Sequence, residues 1–180
     1  HPLPDVETIA STFGGIGISR ESQVVAYDDA DGMYASRLWW MLRYVGHERV
    51  AVLDGGFARW VNEGRAVTTE SVVHEPVPFH AEPNPWMLAT ADEVDSMRLD
   101  RRRLLIDSRS PDRYRGENET IDPVAGHIPG ARNRFFKSNV RSDGTMRDAT
   151  ELGAEFREQL GGLEPSDAIV YCGSGVTACH

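Results

Sequence analysis

Short apolar runs alternate with amphipathic stretches along the first third of the chain. Gln23–Tyr27 and Val50–Leu53 are apolar and end at Asp and Gly residues, which predicts two short buried strands. Apolar residues at helical spacing, with capping residues or glycines at the ends, predict helices at Asp5–Phe13, Met33–Tyr44 and Phe57–Asn62. The order helix, strand, helix, strand, helix indicates parallel strands with right-handed crossovers, and hence an α/β domain.

The alternation stops at Ala66–Trp86, where four prolines and several charges predict an extended linker. A second α/β unit then follows. We predict a helix from Thr90, strands at Leu104–Ile106 and Ala168–Tyr171, a polar loop at Ser110–Asp122, a tight turn at Gly126–Ala131 and a helix at Leu152–Leu160. The expected organisation is a first domain over residues 1–65, a linker over 66–88 and a second domain over 89–180.

A short internal similarity relates the two halves. The segment that starts at Ser22 and ends in V-V-A-Y-D-D-A-D-G resembles the segment that starts at Ser166 and ends in A-I-V-Y-C-G-S-G. Aligning Tyr27 with Tyr171 places Asp28 where Cys172 stands. Together with the two α/β patterns this indicates a duplicated domain whose first copy has lost its nucleophile.

Composition excludes several classes of protein. The 180 residues have a formal net charge of −9, which argues against a general nucleic-acid binder. No apolar run reaches the roughly 18 residues of a membrane span, and no secretory leader is expected at the N-terminus. The two cysteines do not make a disulfide framework, so they predict a reducing, cytoplasmic location.

Both cysteines lie in the stretch A-I-V-Y-C-G-S-G-V-T-A-C-H at residues 168–180. A predicted strand ends at Cys172, glycines follow at 173 and 175, and a helix start is predicted after them. Backbone N–H groups in such a loop favour anions and a thiolate. Cys172 is therefore a candidate nucleophile, although a buried cysteine of purely structural role is the alternative. Cys179 is expected to pack inside, with a redox partnership as the alternative.

Several motifs together resemble the tandem-domain rhodanese sulfurtransferases. They are Asp107-Ser108-Arg109, Arg113-Tyr114-Arg115-Gly116, Gly126-His127-Ile128-Pro129-Gly130-Ala131, the Cys172–Thr177 loop, and Tyr27-Asp28-Asp29, Trp39-Trp40 and Val52–Gly56 in the first half. The resemblance implies two tandem rhodanese-like domains, each a parallel sheet flanked by helices. Both domains look incomplete, so we expect segments of the same protein outside these residues to complete them.

The resemblance also implies an activity. The Cys172 thiolate would take a sulfane sulfur from a small donor, hold it as a persulfide and pass it to a thiol or cyanide acceptor, with no cofactor and no metal. Ser174 and Thr177 would assist as catalytic residues, and Gly173, Gly175 and Val176 would line the substrate. The loop C-G-S-G-V-T is similar to the 3-mercaptopyruvate branch, since the thiosulfate branch typically has two basic residues at positions 173 and 174.

Two arginines beyond the Leu104–Ile106 strand are candidate anchors for an anionic donor. Arg109 and Arg113 lie at the carboxyl edge of the predicted sheet, where an Arg fork suits a carboxylate or sulfonate-like group. The alternative is that Arg109 only bridges to Asp107 or Asp112. His127 is expected to fix its turn through hydrogen bonds rather than to act as a base.

Three other functions remain open from the sequence. A cysteine-dependent phosphatase would need an arginine six positions after the cysteine, where this chain has Ala178. A non-catalytic rhodanese-like binding or regulatory module is disfavoured by the intact cysteine and the open glycine loop. A thiol–disulfide oxidoreductase would normally have its two cysteines closer together than Cys172 and Cys179.

Overall fold

The computed structural model describes residues 2–98, 100 and 102–180, so positions 1, 99 and 101 of the predicted domains lie outside the description. The chain divides into two compact units, the first ending at Leu88 and the second running from Ala89 to His180. Within the described residues, no helix combines the length and the apolar character needed to cross a bilayer.

The first unit is built on a pair of parallel strands. Val24 pairs with Val50 and Ala26 with Val52, as the predicted crossover requires. Asp5 caps the first helix through its carboxylate, which accepts the Thr8 N–H at 2.6 Å. The elements in order are α1 (Val6–Gly15), β1 (Val24–Ala26), α2 (Met33–Tyr44), β2 (Val50–Val52) and α3 (Gly56–Asn62).

Helices α1 and α2 bury their apolar faces together. Ile9 and Phe13 of α1 meet Leu42 of α2, with Ile18 and Val45 completing the cluster, and Leu42 and Val45 have no exposed surface. Burial of apolar area on this scale is the main stabilising contribution to such a unit. The sheet is therefore covered on the face that these helices pack against.

The opposite face of the first sheet is open. Val25 and Tyr27 are more than half exposed, and with Phe57 and Trp60 they line an apolar pocket of about 440 Å³. An exposed apolar patch is typical of a surface that contacts another segment or a partner.

The stretch predicted as a linker is part of the first unit. Residues 66–88 contain no helix or strand except a 3₁₀ turn at Pro85–Met87, in agreement with the prediction of extended chain. The segment is nevertheless held by backbone bonds: the Val77 N–H donates to Gly14 O at 2.9 Å and the Asn84 N–H to Tyr44 O at 2.8 Å. The Phe79 ring meets Phe13 edge to face at 5.6 Å.

Asp28 closes the loop between β1 and α2. Its carboxylate accepts four backbone N–H bonds of 2.8–2.9 Å, from Ala30 and Gly32 on one oxygen and from Tyr34 and Ala35 on the other. Burial alone would raise the pKa of the Asp28 carboxyl, but these four bonds outweigh it and lower the pKa. The backbone N–H groups of this loop thus bind an anion that belongs to the loop itself, the Asp28 carboxylate.

The second unit has a three-stranded parallel sheet in the order β4-β3-β5. Its central strand β3 is fully buried, and Asp107 at the end of β3 is paired with Tyr171 at the end of β5. The elements in order are α4 (Ala91–Met97), β3 (Leu104–Asp107), α5 (Pro111–Arg115), β4 (Arg132–Asn133), α6 (Ala149–Leu160) and β5 (Ala168–Tyr171), with 3₁₀ turns at Phe136–Asn139, Pro165–Asp167 and Thr177–Cys179.

Two local predictions for the second unit need correction. The segment Ser110–Asp122 is not entirely loop, because Pro111–Arg115 forms α5. Proline at the first helical position is compatible with a helix start, but five mostly polar residues show no apolar period. Helix α6 also begins at Ala149, three residues before the prediction, because Asp148 caps it by accepting the Thr150 N–H at 2.8 Å.

The Asp28 loop generates a stability prediction. In Asp28→Asn an amide replaces the carboxylate, and its NH₂ group faces N–H donors, so we expect the free energy of unfolding to fall by about 1–2 kcal/mol. All four tryptophans lie at or before position 86, so tryptophan fluorescence during a urea titration reports the first unit. Asp29→Asn, on an exposed neighbour, is the matched control and should change little.

The same pair of variants gives a pH test. The lowered pKa means that the stabilisation by ionised Asp28 is present above the unfolded-state pKa and is lost as pH falls through the folded-state pKa. The stability difference between the parent and Asp28→Asn should therefore shrink on acidification. A difference that is unchanged at acidic pH would contradict the proposed role of the carboxylate.

Candidate active site

The parallel pairing of β3 and β5 brings two motifs to one edge of the sheet. Since Asp107 pairs with Tyr171, the next residues along each chain, Ser108 and Cys172, also become neighbours. The Ser108 N–H donates to Tyr171 O at 2.9 Å and the Ser108 hydroxyl donates to the same oxygen at 3.0 Å. The carboxyl edge of an open parallel sheet is where α/β proteins bind their ligands.

The sulfur of Cys172 is surrounded by donors from its own loop. The Gly175 N–H donates to Cys172 Sγ at 3.0 Å, and the N–H groups of Ser174 and Ala178 and the Thr177 hydroxyl lie near enough to the sulfur to lower the pKa of Cys172. Burial by itself raises the pKa of the Cys172 thiol. These donors outweigh burial and leave the pKa below its usual range, which favours the thiolate.

The two loop glycines are needed for different reasons. Gly175 has φ +73°, a left-handed conformation that a side chain would strain, and its N–H donates to the sulfur. Gly173 is not in that region. A Cβ at Gly173 would lie 3.1 Å from a carboxylate oxygen of Asp122 and 3.5 Å from Arg113 Nη2. Gly173 is thus required for the close approach of charged side chains, and not for its backbone angles.

The other predicted loop residues have distinct placements. The Thr177 hydroxyl is the side-chain group that lowers the pKa of Cys172, and it lies 3.3 Å from the hydroxyl of Ser108. Ser174 is exposed and acts on the sulfur through its N–H, not through its hydroxyl. Val176 is 5% exposed, so little of the residue is available to a ligand.

Arg109 is placed differently from its predicted role as a substrate anchor. It is 7% exposed, and its guanidinium forms a bidentate pair with Asp107, donates to Gly126 O at 2.6 Å and reaches Glu119 and Asp122 at 3.3 Å. These partners occupy all five N–H donors of the guanidinium. The bridge to Asp107 was the alternative in the sequence, and the structure favours it because no donor remains for a ligand.

Arg113 keeps one donor atom open. Its Nε and Nη2 donate to Glu119 at 3.0 and 2.9 Å, and Nη2 also donates to Asp122 at 2.8 Å. Within the described part of the chain, no hydrogen bond is made by Nη1, and the side chain is 21% exposed. Arg113 is therefore the better placed of the two predicted anchors.

Four residues of this site were not singled out from the sequence. Ser108 belongs to the Asp107-Ser108-Arg109 motif, but its contact with Thr177 depends on strand pairing. Glu119 and Asp122 lie in a segment predicted as polar loop, where only the charges themselves gave a signal. Hydrogen bonding to Arg113 lowers the pKa of the Glu119 carboxyl to about 2. The Tyr171 hydroxyl accepts the Ile128 N–H at 3.0 Å, and burial raises the pKa of Tyr171.

His127 fixes its turn, as predicted. Its ring stacks on Tyr114 with a centroid distance of 3.7 Å, and Nδ1 lies 2.7 Å from Tyr114 O. Cys179 is in no disulfide and is partly buried, and its sulfur donates to Gly175 O at 3.1 Å. Gly175 thus contacts one cysteine through its N–H and the other through its carbonyl.

Comparisons with known proteins agree with this architecture. The family described as the rhodanese-like domain matches residues 2–63 and 90–180. The chain therefore belongs to the rhodanese-like family. These two matched segments lie within the two compact units.

Individual relatives refine the comparison. The chain is 41% identical over its whole length to the probable 3-mercaptopyruvate sulfurtransferase of Pseudomonas aeruginosa, of which it covers 64%. It is 39% identical over 99% of its length to the thiosulfate sulfurtransferase of Bos taurus, of which it covers 61%. The chain thus spans less than two thirds of the length of these curated relatives.

A solved structure shows the same fold. The crystal structure of SseA from Escherichia coli, described with the rhodanese fold and catalytic mechanism of 3-mercaptopyruvate sulfotransferases, superposes with a TM-score of 0.85. The identity is 33%, and the superposition covers 99% of this chain and 67% of that one. The mixed α/β fold with parallel sheets flanked by helices is confirmed.

The donors around Cys172 generate a titration prediction. Thr177→Val removes the hydroxyl that donates to the sulfur and keeps the side-chain volume, so the pKa of Cys172 should rise. The pH dependence of iodoacetamide alkylation at Cys172, followed by mass spectrometry, measures that pKa.

Ser174→Ala is the informative partner of Thr177→Val. Because Ser174 donates through its N–H, removing its hydroxyl should leave the pKa of Cys172 unchanged. An equal rise in both variants, or no rise in Thr177→Val, would show that the Thr177 hydroxyl does not stabilise the thiolate.

Proposed function

We propose that this chain is the sulfur-accepting part of a sulfurtransferase, in which Cys172 receives a sulfane sulfur as a persulfide. The observation that supports this most directly is the Cys172 sulfur, partly buried and yet surrounded by backbone N–H groups and the Thr177 hydroxyl. These donors stabilise a thiolate before the reaction, and they can hold the charge of a persulfide afterwards. Gly173 and Ser174 are exposed, so the loop is open to a small donor.

The relatives support catalysis over the alternative of a non-catalytic binding or regulatory module. Those compared above are named as sulfurtransferases, and this chain matches them along nearly its whole length. Because the chain covers only part of each, the activity, substrates and partners of the whole protein are proposals. We infer that further segments of the same protein cover the apolar pocket formed by Val25, Tyr27 and Phe57.

The proposed chemistry has two half-reactions. With 3-mercaptopyruvate, the Cys172 thiolate attacks the donor sulfur, the carbon–sulfur bond breaks, and pyruvate leaves as its enolate and then takes up a proton. The enzyme is left as Cys172–S–SH. Cyanide then attacks the outer sulfur, the sulfur–sulfur bond breaks, and thiocyanate leaves with the Cys172 thiol restored. A thiol acceptor would receive the sulfur in the same way.

The donor we propose is 3-mercaptopyruvate, with thiosulfate as a poorer one. Neither Gly173 nor Ser174 adds a positive charge beside the sulfur, and the nearby guanidiniums are already paired with carboxylates. A dianion therefore gains less at this site than a donor with a single carboxylate. Arg113, through its open Nη1, is the residue proposed to contact that carboxylate. The cytoplasmic location stays a prediction that rests on the two free thiols.

Removing the sulfur of Cys172 tests the class of activity. In the full-length protein, Cys172→Ala should abolish cyanide-dependent thiocyanate formation, because no atom remains to form the persulfide. Cys179→Ser keeps a hydrogen-bond donor toward Gly175 O and should retain sulfur transfer. Loss of activity in Cys179→Ser alone would favour a dithiol mechanism, and activity in Cys172→Ala would contradict the proposal.

Donor preference is a separate prediction. We expect kcat/KM for 3-mercaptopyruvate to exceed that for thiosulfate at the same cyanide concentration, because the site offers one incompletely paired guanidinium rather than a cationic loop. Steady-state rates with both donors make the comparison. A preference for thiosulfate would reject the proposed donor while leaving sulfur transfer intact.

A further inference from the structure

Asp122 lies beside both the Arg113 guanidinium and the cysteine loop. Its Oδ2 accepts from Arg113 Nη2 at 2.8 Å and from Arg109 Nη1 at 3.3 Å. Both carboxylate oxygens approach the loop, at 3.1 and 3.4 Å from the position that a Cβ on Gly173 would take. Since Gly173 follows Cys172 directly, the Asp122 carboxylate faces the region that a donor must enter.

The charges of this cluster do not cancel. Two guanidiniums, of Arg109 and Arg113, face three carboxylates, of Asp107, Glu119 and Asp122. The Asp107 and Glu119 side chains are 0% and 3% exposed, whereas that of Asp122 is 28% exposed. Asp122 is thus the only carboxylate of these three that a ligand from solvent can replace.

Arg113 does not depend on Asp122 for its orientation. Glu119 already holds it in a fork, with Nε donating to one oxygen and Nη2 to the other. Asp122 Oδ1 makes no hydrogen bond within the described part of the chain. If the Asp122 carboxylate moved away, the Glu119 fork would keep Arg113 in place, and the N–H of Nη2 that donates to Asp122 would become open to a ligand near Gly173.

We propose that Asp122 is a positioning residue that selects donors by charge, acting through Arg113. In the free protein its carboxylate accepts a hydrogen bond from the Arg113 guanidinium, and the carboxylate of an incoming donor replaces it as the acceptor. Donors of higher negative charge meet more repulsion from Asp122 at the cysteine loop, so they are disfavoured. The identity of the donor in this proposal rests on the proposed function. The repulsion between Asp122 and an approaching anion does not, because it applies to any anion that approaches Cys172.

The kinetic test compares two single-charge variants of the full-length protein. Asp122→Asn removes the charge and keeps the shape of the side chain. Glu117→Gln is the matched control, because Glu117 is an exposed acidic residue of the same segment whose carboxylate pairs with Arg115. We expect the KM for 3-mercaptopyruvate to fall about threefold in Asp122→Asn only, the scale of one partly exposed ion pair, with a smaller change in kcat.

Thiosulfate is the second donor in the kinetic test, because it carries a different charge. Its KM should fall by more than that of 3-mercaptopyruvate in Asp122→Asn, since a dianion gains more from the loss of one negative charge. A KM that is unchanged or raised in Asp122→Asn, or that falls equally in Glu117→Gln, would overturn the proposal. A residue with a merely structural role would lower stability in urea without changing the ratio of the two KM values.

A second measurement is independent of sulfur transfer. Iodoacetate and iodoacetamide alkylate the same thiolate but differ by one negative charge, so the ratio of their rates at Cys172 reports the local field. Asp122→Asn should raise the iodoacetate to iodoacetamide ratio about threefold over the parent, and Glu117→Gln should not. An unchanged ratio would reject the role of Asp122. If the parent transfers no sulfur, the proposed function fails while this ratio still decides the proposal.

Discussion

A thiolate in a partly buried position has to be matched by hydrogen-bond donors, and this constraint explains the conformation of the loop around Cys172. The donors come from the loop that follows β5, above all the Gly175 N–H at 3.0 Å from Cys172 Sγ. Gly175 itself adopts φ +73°, a conformation that glycine tolerates and that a side chain would strain. The loop itself starts where β5 ends beside β3, so the sheet determines where the charge can lie.

The first unit shows the same kind of loop with a different anion. After β1, four backbone N–H groups converge on the Asp28 carboxylate, as the loop after β5 converges on the Cys172 sulfur. A carboxylate attached to the loop fills the site and gives it a stabilising role. A sulfur leaves room for reaction, because a second sulfur can be added to it. The rhodanese-like family matches both segments, in agreement with this local likeness.

The two arginines predicted as anchors differ in burial, and they therefore differ in how many of their N–H donors are paired. Arg109 and Arg113 are four positions apart and carry the same charge. Arg109 is enclosed and all its donors are used, so it joins β3 to the segment that contains Glu119 and Asp122. Arg113 lies farther out and keeps Nη1 open. A buried guanidinium needs every donor paired, whereas a partly exposed one can leave a donor to solvent or to a ligand.

Much of the fold was determined by the sequence because it depends on local periodicity and capping. Helix α2 and strand β5 have the predicted bounds, and the helix predicted from Thr90 forms with a capping box to Glu93. The short polar helix α5 was missed, since five residues cannot display an apolar period. The proposal of Cys172 as the nucleophile also rests on local sequence, because the strand, the glycines and the turn lie next to each other in the chain.

Only the tertiary structure decided which charges meet. Ser108 contacts Thr177 across 69 positions, through the register of β3 against β5. Asp122 reaches Gly173 and Arg113 because its loop folds back over the cysteine loop, and no periodic pattern encodes such a contact. The sequence by itself determined most of the elements and the choice of Cys172 as the candidate nucleophile, since both follow from neighbours along the chain. The neutralisation of Arg109 and the position of Asp122 depend on distances through space, which only the folded chain sets.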